Sequence, residues 1–265
     1  MVWTERQRLM LREMGIRLWA PVAAEPARPT TLAETTEAPK SMPTPTPASA
    51  PPVSVMAAPP SPAAVPADER SAAIATMAWP ALRDAVVACT ACSLCQSRRQ
   101  TVFGVGHPNA HWLIVGEAPG EQEDLKGEPF VGPAGQLLDN MLRALNLTRE
   151  EAPPERQVYI TNTLKCRPPR NRNPEAEELA RCEPFLLRQI ELIRPRLILA
   201  MGRFAVHSLL QSSEPIGKLR GRVHRYQGVP LVVTYHPAYL LRNLADKSRA
   251  WDDLCLAAQV AEAGA

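Results

Sequence analysis

The stretch "HWLIVGE" (residues 111–117) is a short apolar run that ends in a glycine and a glutamate. Three later stretches repeat its character: "QVYITNT" (157–163), "RLILAMG" (196–202) and "VPLVVTY" (229–235). Each run is apolar, contains β-branched residues and has the length of a β-strand. The pattern therefore predicts four buried strands.

Helical patterns lie between these strands, in "PAGQLLDNMLRALNL" (133–147) and "PEAEELARCEPFLLRQIELI" (174–193), and each begins at a proline. The alternation predicts an α/β fold, a three-layer α/β/α sandwich around a mainly parallel four-stranded sheet. Ligands of such sheets bind outside the carboxyl ends of the strands. We therefore expect the chemistry in "GEAPGEQED", "TNTLKCRPP" and "YHPAYLLR", each of which follows a strand.

The composition excludes few classes of function. The chain has 265 residues, 45% of them hydrophobic, and a net charge of only +3, so a basic surface must come from local clustering. No apolar run approaches the roughly 20 residues of a membrane span, and the N-terminus lacks the apolar core of a signal peptide. The sequence predicts a cytoplasmic protein without a membrane segment.

The N-terminal quarter of the chain differs from the rest. Thirteen of the 28 prolines fall between residues 21 and 66, so we expect residues 21–70 to be a disordered Pro/Ala-rich linker. Residues 1–20 contain "WTERQRLMLREMGIRLW" (3–19), whose apolar residues recur at helical intervals. This helical peptide is either a frayed terminus or a docking segment for a replication or repair protein; it loosely resembles the N-terminal peptide with which the psi subunit of bacterial DNA polymerase III binds the clamp loader. The folded domain is expected over residues 78–265.

The cysteine spacing predicts a metal centre. A cytosolic chain keeps its thiols reduced, which favours metal ligands or buried thiols over disulfides. Four thiolates gathered from two segments suit either a tetrahedral zinc or a [4Fe-4S] cluster, and spacing does not separate the two. Cys255 fits an apolar helix, and Cys95 fits either a ligand or an inward-facing thiol. The four candidate ligands are Cys89, Cys92, Cys166 and Cys182.

Two basic stretches predict a nucleic-acid surface. The first, "KCRPPRNRNP" (165–174), places three arginines in a proline-stiffened loop beside a cysteine, and the second is "GKLRGRVHR" (217–225). A solvated basic loop is the ordinary reading of one such run, but two runs favour a bipartite phosphate-binding surface. The candidate DNA-binding residues in them are Arg167, Arg170, Arg172, Lys218, Arg220 and Arg222.

At "VGEAPGEQEDLKGEPFVGPAGQLL", "ITNTLKCRPPRNRNP" and "YHPAYLLRN" the chain resembles the family 4 uracil-DNA glycosylases, the iron-sulfur branch of that superfamily. The resemblance implies a uracil-DNA glycosylase-like fold and a monofunctional enzyme that releases uracil from DNA. It also implies a [4Fe-4S] cluster on the four candidate cysteines, but not on Cys95 or Cys255. The implied setting is a monomer acting on uracil-containing DNA in a bacterial-type nucleoid.

The family positions imply roles for three side chains that hold an extrahelical base. Phe130 would cover the ring face, Asn162 would read the Watson–Crick edge, and His236 would donate to uracil O2 as negative charge develops. Without the resemblance, Phe130 fits a core residue, Asn162 a turn residue and His236 an ordinary polar residue. Once Cys166 and Cys182 are fixed by the cluster, the arginine loop between them is held ready for phosphates.

The loop "GEAPGE" departs from the family 1 pattern "GQDPYH". Ala118 and Gly120 stand where family 1 enzymes have a water-positioning aspartate and a thymine-excluding tyrosine. We expect Glu117 to lie against the uracil and exclude thymine, and Glu123 to position the attacking water. A phosphate-binding loop is the competing interpretation, but the Walker lysine and the GxGxxG spacing are both missing.

The segment after His236 is expected to enter the minor groove. Leu240 and Leu241 are apolar enough to fill the gap left by a flipped base, and Arg242 would contact phosphate. Two core leucines at the start of a helix are an equal alternative.

A competing function is uracil-DNA binding or cross-linking without turnover. Superfamily members of that class carry a histidine-bearing basic insertion where this chain has "RPPRNRNP", which contains no histidine, and this favours turnover.

Overall fold

The computed structural model describes residues 67–263 and, outside them, only the helical residue Glu13. Three short 3₁₀ turns at Ser93–Gln96, Pro169–Asn171 and Leu244–Asp246 accompany nine helices in residues 67–263. The helices are α1 (Ala67–Ala75), α2 (Trp79–Val87), α3 (Glu121–Lys126), α4 (Pro133–Ala144), α5 (Ala176–Ile193), α6 (Arg203–Leu210), α7 (Ile216–Leu219), α8 (Pro237–Leu240) and α9 (Lys247–Ala263). The strands are β1 (Val105–Gly106), β2 (Trp112–Gly116), β3 (Tyr159–Asn162), β4 (Leu197–Met201), β5 (Val223–Tyr226) and β6 (Val229–Thr234).

The strands of residues 67–263 form one sheet in the order β1-β3-β2-β4-β6-β5. The inner four strands, β3, β2, β4 and β6, are parallel and correspond to the four predicted runs. The predicted strand number is wrong by two, because β1 and β5 pair antiparallel at the edges. Two-residue β1 is too short to show a period, and β5 overlaps the end of the basic stretch at 217–225.

Alternate residues of the parallel strands face opposite helical layers, as the pleat requires. On one face Ile114 belongs to a core with Leu138 of α4 and Trp251 of α9. On the other face Leu113 belongs to a core with Ile190 of α5. This arrangement confirms the predicted three-layer α/β/α sandwich.

The helices α1 and α2 pack against α5 through a smaller apolar cluster that includes Ile74, Leu82 and Phe185. Helix α1 therefore begins inside the last four residues of the predicted linker, and the folded unit starts before residue 78. The predicted N-terminal peptide and the rest of the linker lie outside the described residues. Among the helices of residues 67–263, none combines the length and apolar character of a membrane span.

Candidate active site

A cleft of about 790 Å³ opens where the loops after β2, β3, β4 and β6 meet. These loops follow the carboxyl ends of parallel strands, the usual ligand site of such a sheet. The sheet thus brings together side chains from three separate motifs. The sequence-predicted residues that line the cleft are Glu117, Ala118, Glu123, Phe130, Asn162, Arg172, His236 and Arg242.

Asn162 is the last residue of β3 and pairs with Gly116 of β2. Its side chain is buried, and its Oδ1 atom has no hydrogen-bond partner among residues 67–263. A buried acceptor without a donor costs roughly 1–3 kcal/mol. The N–H group of a bound ligand would remove that cost, so this oxygen marks a recognition point.

Phe130 lines the part of the cleft next to Asn162, which we call the slot. Its backbone is left-handed, with φ of 55°, which is rare for an aromatic residue and holds the ring at a defined angle. The ring centroids of Phe130 and His236 are 5.3 Å apart with 29° between the planes. A Cβ on Gly116 would lie 2.6 Å from the Phe130 ring and collide with Asn162 Oδ1, so glycine is required there.

The Glu123 carboxylate holds the loop that carries Phe130. Its Oε1 accepts hydrogen bonds from the N–H groups of Val131 (2.9 Å) and Gly132 (3.0 Å), and its Oε2 accepts one from Gly120 (3.1 Å). Both oxygens are therefore occupied by backbone donors and cap α3. These contacts make Glu123 an anchor of the loop, and its role in positioning water stays a prediction.

His236 is a neutral donor at physiological pH. Burial lowers the pKa of His236 to about 4, with a further lowering from Arg242 and an opposing effect from Glu123. Its Nδ1 accepts a hydrogen bond of 3.2 Å from the backbone N–H of Ala238. Because a neutral imidazole carries one proton, that proton is on Nε2. The side chain therefore offers an N–H donor without a charge.

Glu117 and Ala118 line the side of the cleft that packs against the protein interior. Burial raises the pKa of the Glu117 carboxyl above its usual range, although Arg203 opposes the shift. The neighbouring Ala118 lines the cleft and also packs against the apolar cluster that contains Leu164 and Cys166. One wall of the cleft thus rests on the region that holds the cysteines.

Five cysteines line a second cavity: Cys89, Cys92, Cys95, Cys166 and Cys182. The four predicted ligands are therefore together, as the two-segment spacing requires, and Cys95 lies with them. In the part of the chain that the structure describes, no three His, Cys, Asp or Glu side chains form a group that could hold a metal ion as they stand.

The cysteine sulfurs are surrounded by N–H donors, which favours thiolate character. Arg98 donates to Cys166 Sγ at 3.1 Å, Arg70 to Cys89 Sγ at 3.5 Å, and the backbone N–H of Lys165 to Cys182 Sγ at 3.3 Å. Burial raises the pKa of the Cys182 thiol to about 12. The donors around these sulfurs fit a centre that would bind them as thiolates.

The arginine loop is held mainly by contacts within the protein. Arg172 lines the cleft and makes a two-point ion pair with the buried Glu178 (2.6 and 2.9 Å). The Nε atom of Arg167 donates to Asn171 Oδ1 at 2.8 Å. Arg170 is exposed in a left-handed conformation with φ of 55°. The loop is therefore fixed, and Arg170 has the guanidinium most available for a phosphate.

The second basic stretch divides into a structural and an exposed part. Arg220 is mostly buried, and its guanidinium pairs with the fully buried Asp253 of α9 at 2.9 Å. The prediction that Arg220 contacts DNA is therefore not supported, because the side chain joins α7 to α9. Lys218 and Arg222 are exposed, and Arg222 lies 3.9 Å from Glu214. None of these three residues lines the cleft described above.

The two predicted wedge leucines have different environments. Leu240 is fully buried in the core between the sheet and α9, so the prediction that it enters DNA is wrong. Leu241 is 42% exposed and stays available to a ligand. Arg242 follows it and is also exposed. The helical pattern of α8 buries one leucine and exposes the next.

Sequence reasoning missed several residues that line the cleft. Arg203 follows the carboxyl end of β4, the one inner strand after which the sequence analysis expected no site residue. The signal was present, because "MGR" (201–203) directly follows that predicted strand. Asn171 lies in the arginine loop with a left-handed backbone. Tyr235 and Tyr239 stack on each other at 5.1 Å and flank His236. The sequence signal for both tyrosines was their position close to the His-Pro pair at 236–237.

Comparison with known proteins identifies the family. The family model described as "Uracil DNA glycosylase superfamily" matches residues 103–255. The chain is 43% identical over 164 residues to a "Type-4 uracil-DNA glycosylase" of Archaeoglobus fulgidus, covering 59% of this chain and 79% of that protein. The protein of the same name from Thermotoga maritima is 44% identical over 163 residues, covering 61% and 82%.

The chain belongs to the type-4 family of the uracil-DNA glycosylase superfamily. A "Type-5 uracil-DNA glycosylase" of Pyrobaculum aerophilum is only 32% identical over 151 residues, which sets the type-5 proteins further away. Family membership confirms the resemblance drawn from "GEAPGEQED", "TNTLKCRPP" and "YHPAYLLR". The region matched by the superfamily model, residues 103–255, contains the cleft residues from Glu117 to Arg242.

Proposed function

We propose that this chain hydrolyses the N-glycosidic bond of deoxyuridine rotated out of DNA, releasing uracil and leaving an abasic site in base excision repair of chromosomal DNA. The observation that carries the proposal is the buried Oδ1 of Asn162, which has no partner among residues 67–263 and lies in the cleft beside the stacked rings of Phe130 and His236. A flat base with an N–H on its edge is the ligand that this slot fits.

Recognition follows from the donor and acceptor order of the base edge. The Oδ1 atom of Asn162 accepts from uracil N3–H, and its Nδ2 donates to O4. Cytosine presents the opposite pattern at both atoms, so it is rejected. Phe130 stacks on the ring, and Glu117 lies against the base and excludes thymine.

Bond cleavage places positive charge on the deoxyribose and negative charge on uracil O2. In this proposal the Nε2–H of His236, whose side chain lines the cleft, donates to O2 as a neutral donor, and the hydrogen bond gains strength as that charge develops. A neutral imidazole also avoids holding a charge in the ground state, when uracil carries none. A water molecule then attacks the sugar, with Glu123 as the proposed partner that positions it.

The cysteine cavity fits a [4Fe-4S] cluster held by Cys89, Cys92, Cys166 and Cys182, because these thiols come from two segments and are met by N–H donors. When bound, the cluster cross-links those segments and contributes to folding rather than to bond cleavage. Cys166 and Cys182 flank the arginine loop, so the loop is fixed before DNA arrives. Arg170 and Arg242, with Lys218 and Arg222 at the rim, supply the phosphate contacts.

The protein acts as a monomer in this proposal. The peptide at residues 3–19 is a docking segment for a replication or repair protein, joined to the domain by a long tether. That arrangement would bring the repair domain to newly exposed DNA without adding to the cleft.

The test is a gel assay on an oligonucleotide with a single deoxyuridine, denatured with and without alkali. The expected result is a strand break only after alkali, together with free uracil. A DNA band retained with protein before alkali would favour a cross-linking protein instead. An intact strand under both conditions would contradict the proposal, and an oligonucleotide with thymine at the same position is the control.

A further inference from the structure

Lys165 lies inside the protein between the cysteine cavity and the end of β3. Its side chain is 1% exposed, and its Nζ donates to Thr161 Oγ1 (2.6 Å), to Gln189 Oε1 (2.7 Å) and to the backbone oxygen of Asn162 (2.8 Å). An ammonium group has three protons, so the three acceptors satisfy it. One of them belongs to the residue that reads the base.

The surroundings of Lys165 explain how an ammonium group is kept there. None of the ion pairs among residues 67–263 includes Lys165, and the three acceptors are neutral oxygens. A buried charge is costly unless it is hydrogen-bonded. The three hydrogen bonds therefore hold the ammonium group in place, and one of them ties it to the backbone of Asn162.

The network continues beyond Lys165 and is fully buried. Gln189 of α5 donates through Nε2 to the Phe103 backbone oxygen at 2.9 Å, and Thr161 Oγ1 donates to the same oxygen at 3.0 Å. Rigid, fully satisfied networks of this kind fix the atoms that they contact. The backbone of Asn162 is therefore held from behind, on the side away from the cleft.

We propose that Lys165 is a positioning residue for uracil recognition: through its hydrogen bonds to Asn162, Thr161 and Gln189 it fixes the end of β3 from inside the protein. The inference rests on the proposed function, because it names what orients the recognising amide. It assigns no contact between Lys165 and the base.

The test compares Lys165→Met with Lys247→Met in the full-length protein. Methionine keeps the apolar length of lysine and removes the ammonium. Lys247 is also a buried lysine, at the start of α9, and controls for the loss of a buried amine elsewhere. The readouts are the excision rate at saturating DNA, the inhibition constant of free uracil, iron content and thermal unfolding.

Lys165→Met is expected to keep its iron, because the residue 165 backbone N–H that meets Cys182 is unchanged. Its excision rate and its affinity for free uracil should both fall about 10- to 100-fold, the effect of losing one charged hydrogen bond to Asn162. Affinity for undamaged DNA should stay parental. Lys247→Met should match the parent in rate and in uracil affinity.

Folded, iron-containing Lys165→Met with parental uracil inhibition would overturn the inference. If that variant does not fold, Gln189→Leu decides, because it removes one acceptor of Nζ and leaves the cysteines untouched. A loss of about threefold or more in uracil affinity supports the inference, and a parental value overturns it. Failure of the proposed function is distinguishable, because the parent protein itself would then release no uracil.

Discussion

The cleft and the cysteine cavity are neighbours along residues 162–166, yet they differ in how far the hydrogen bonds of their polar atoms are already satisfied within the protein. In the cleft Asn162 Oδ1 is buried without a donor from residues 67–263, and His236 lines the same cleft with its proton left on Nε2. In the cavity the sulfurs of Cys166 and Cys182 each already receive an N–H donor. The difference teaches that the cleft is arranged for a ligand that arrives and leaves, whereas the cavity is arranged for a group that stays.

The largest expected effect comes from breaking the cavity. Cys166→Ala or Cys182→Ala should lose the brown colour and most of the soluble protein, because the proposed cluster, with about four irons per chain, would join the two cysteine segments. The measurement is iron content and visible absorbance of the soluble fraction. Cys95→Ala is the matched control and should stay brown, since Cys95 lines the same cavity but is no predicted ligand. Colourless parent protein with stoichiometric zinc would contradict this prediction.

A change in the cleft should leave the fold in place and remove activity. Gly116→Ala puts a methyl group against Asn162 Oδ1 and the Phe130 ring, both of which contact the base in the proposed mechanism. We expect the excision rate to fall about 100-fold or more, comparable to the loss of a well-placed donor. Iron content and affinity for undamaged DNA should stay parental. A parental excision rate would show that the slot is not where the base binds.

The pH dependence of the excision rate tests whether His236 in the cleft acts as a neutral donor. The folded pKa of about 4 lies below the usual 6.5, so His236 stays neutral and the rate should be flat from pH 8 to pH 6. Its contribution to stability is present above pH 6.5 and is lost as the pH falls towards 4, because the unfolded chain takes up the proton first. Single-turnover rates should inflect near pH 4, and His236→Gln should remove that inflection. An inflection near pH 6.5 would contradict a neutral, buried donor.

The smallest effect is expected from the N-terminal segment. Deletion of residues 1–66 should leave excision of uracil from a naked oligonucleotide within about twofold of the parent, because the cleft and the cavity are built from residue 70 onward. Deletion of residues 1–76 also removes Arg70 and Ile74, which contact Cys89 and the core. That second protein should unfold at a lower temperature. A large loss of rate in the first deletion would place the N-terminal segment at the catalytic domain.

The sequence predicted the parallel strands and the residues at their ends, because apolar period and strand-end position are local properties. It did not predict which polar or apolar side chains are already used. Arg220 forms an ion pair with Asp253, which is 33 residues away in the sequence. Leu240 is buried in the core, whereas the next residue, Leu241, is exposed. Lys165 appeared only as the first letter of a basic loop, and its burial beneath Asn162 depends on packing that no motif records.

The measurement that tests the central claim most directly is single-turnover excision by Asn162→Asp beside titration with undamaged DNA. The substitution replaces the donor to uracil O4 with an acceptor and puts charge where the charge of the departing base develops. Uracil release should fall about 100- to 1000-fold, while affinity for undamaged DNA and its salt dependence stay parental because phosphate contacts do not involve the base. Release of cytosine by the variant would further support the reading of the base edge by Asn162. Uracil release at the parental rate, or loss of undamaged-DNA binding in parallel with activity, would contradict it.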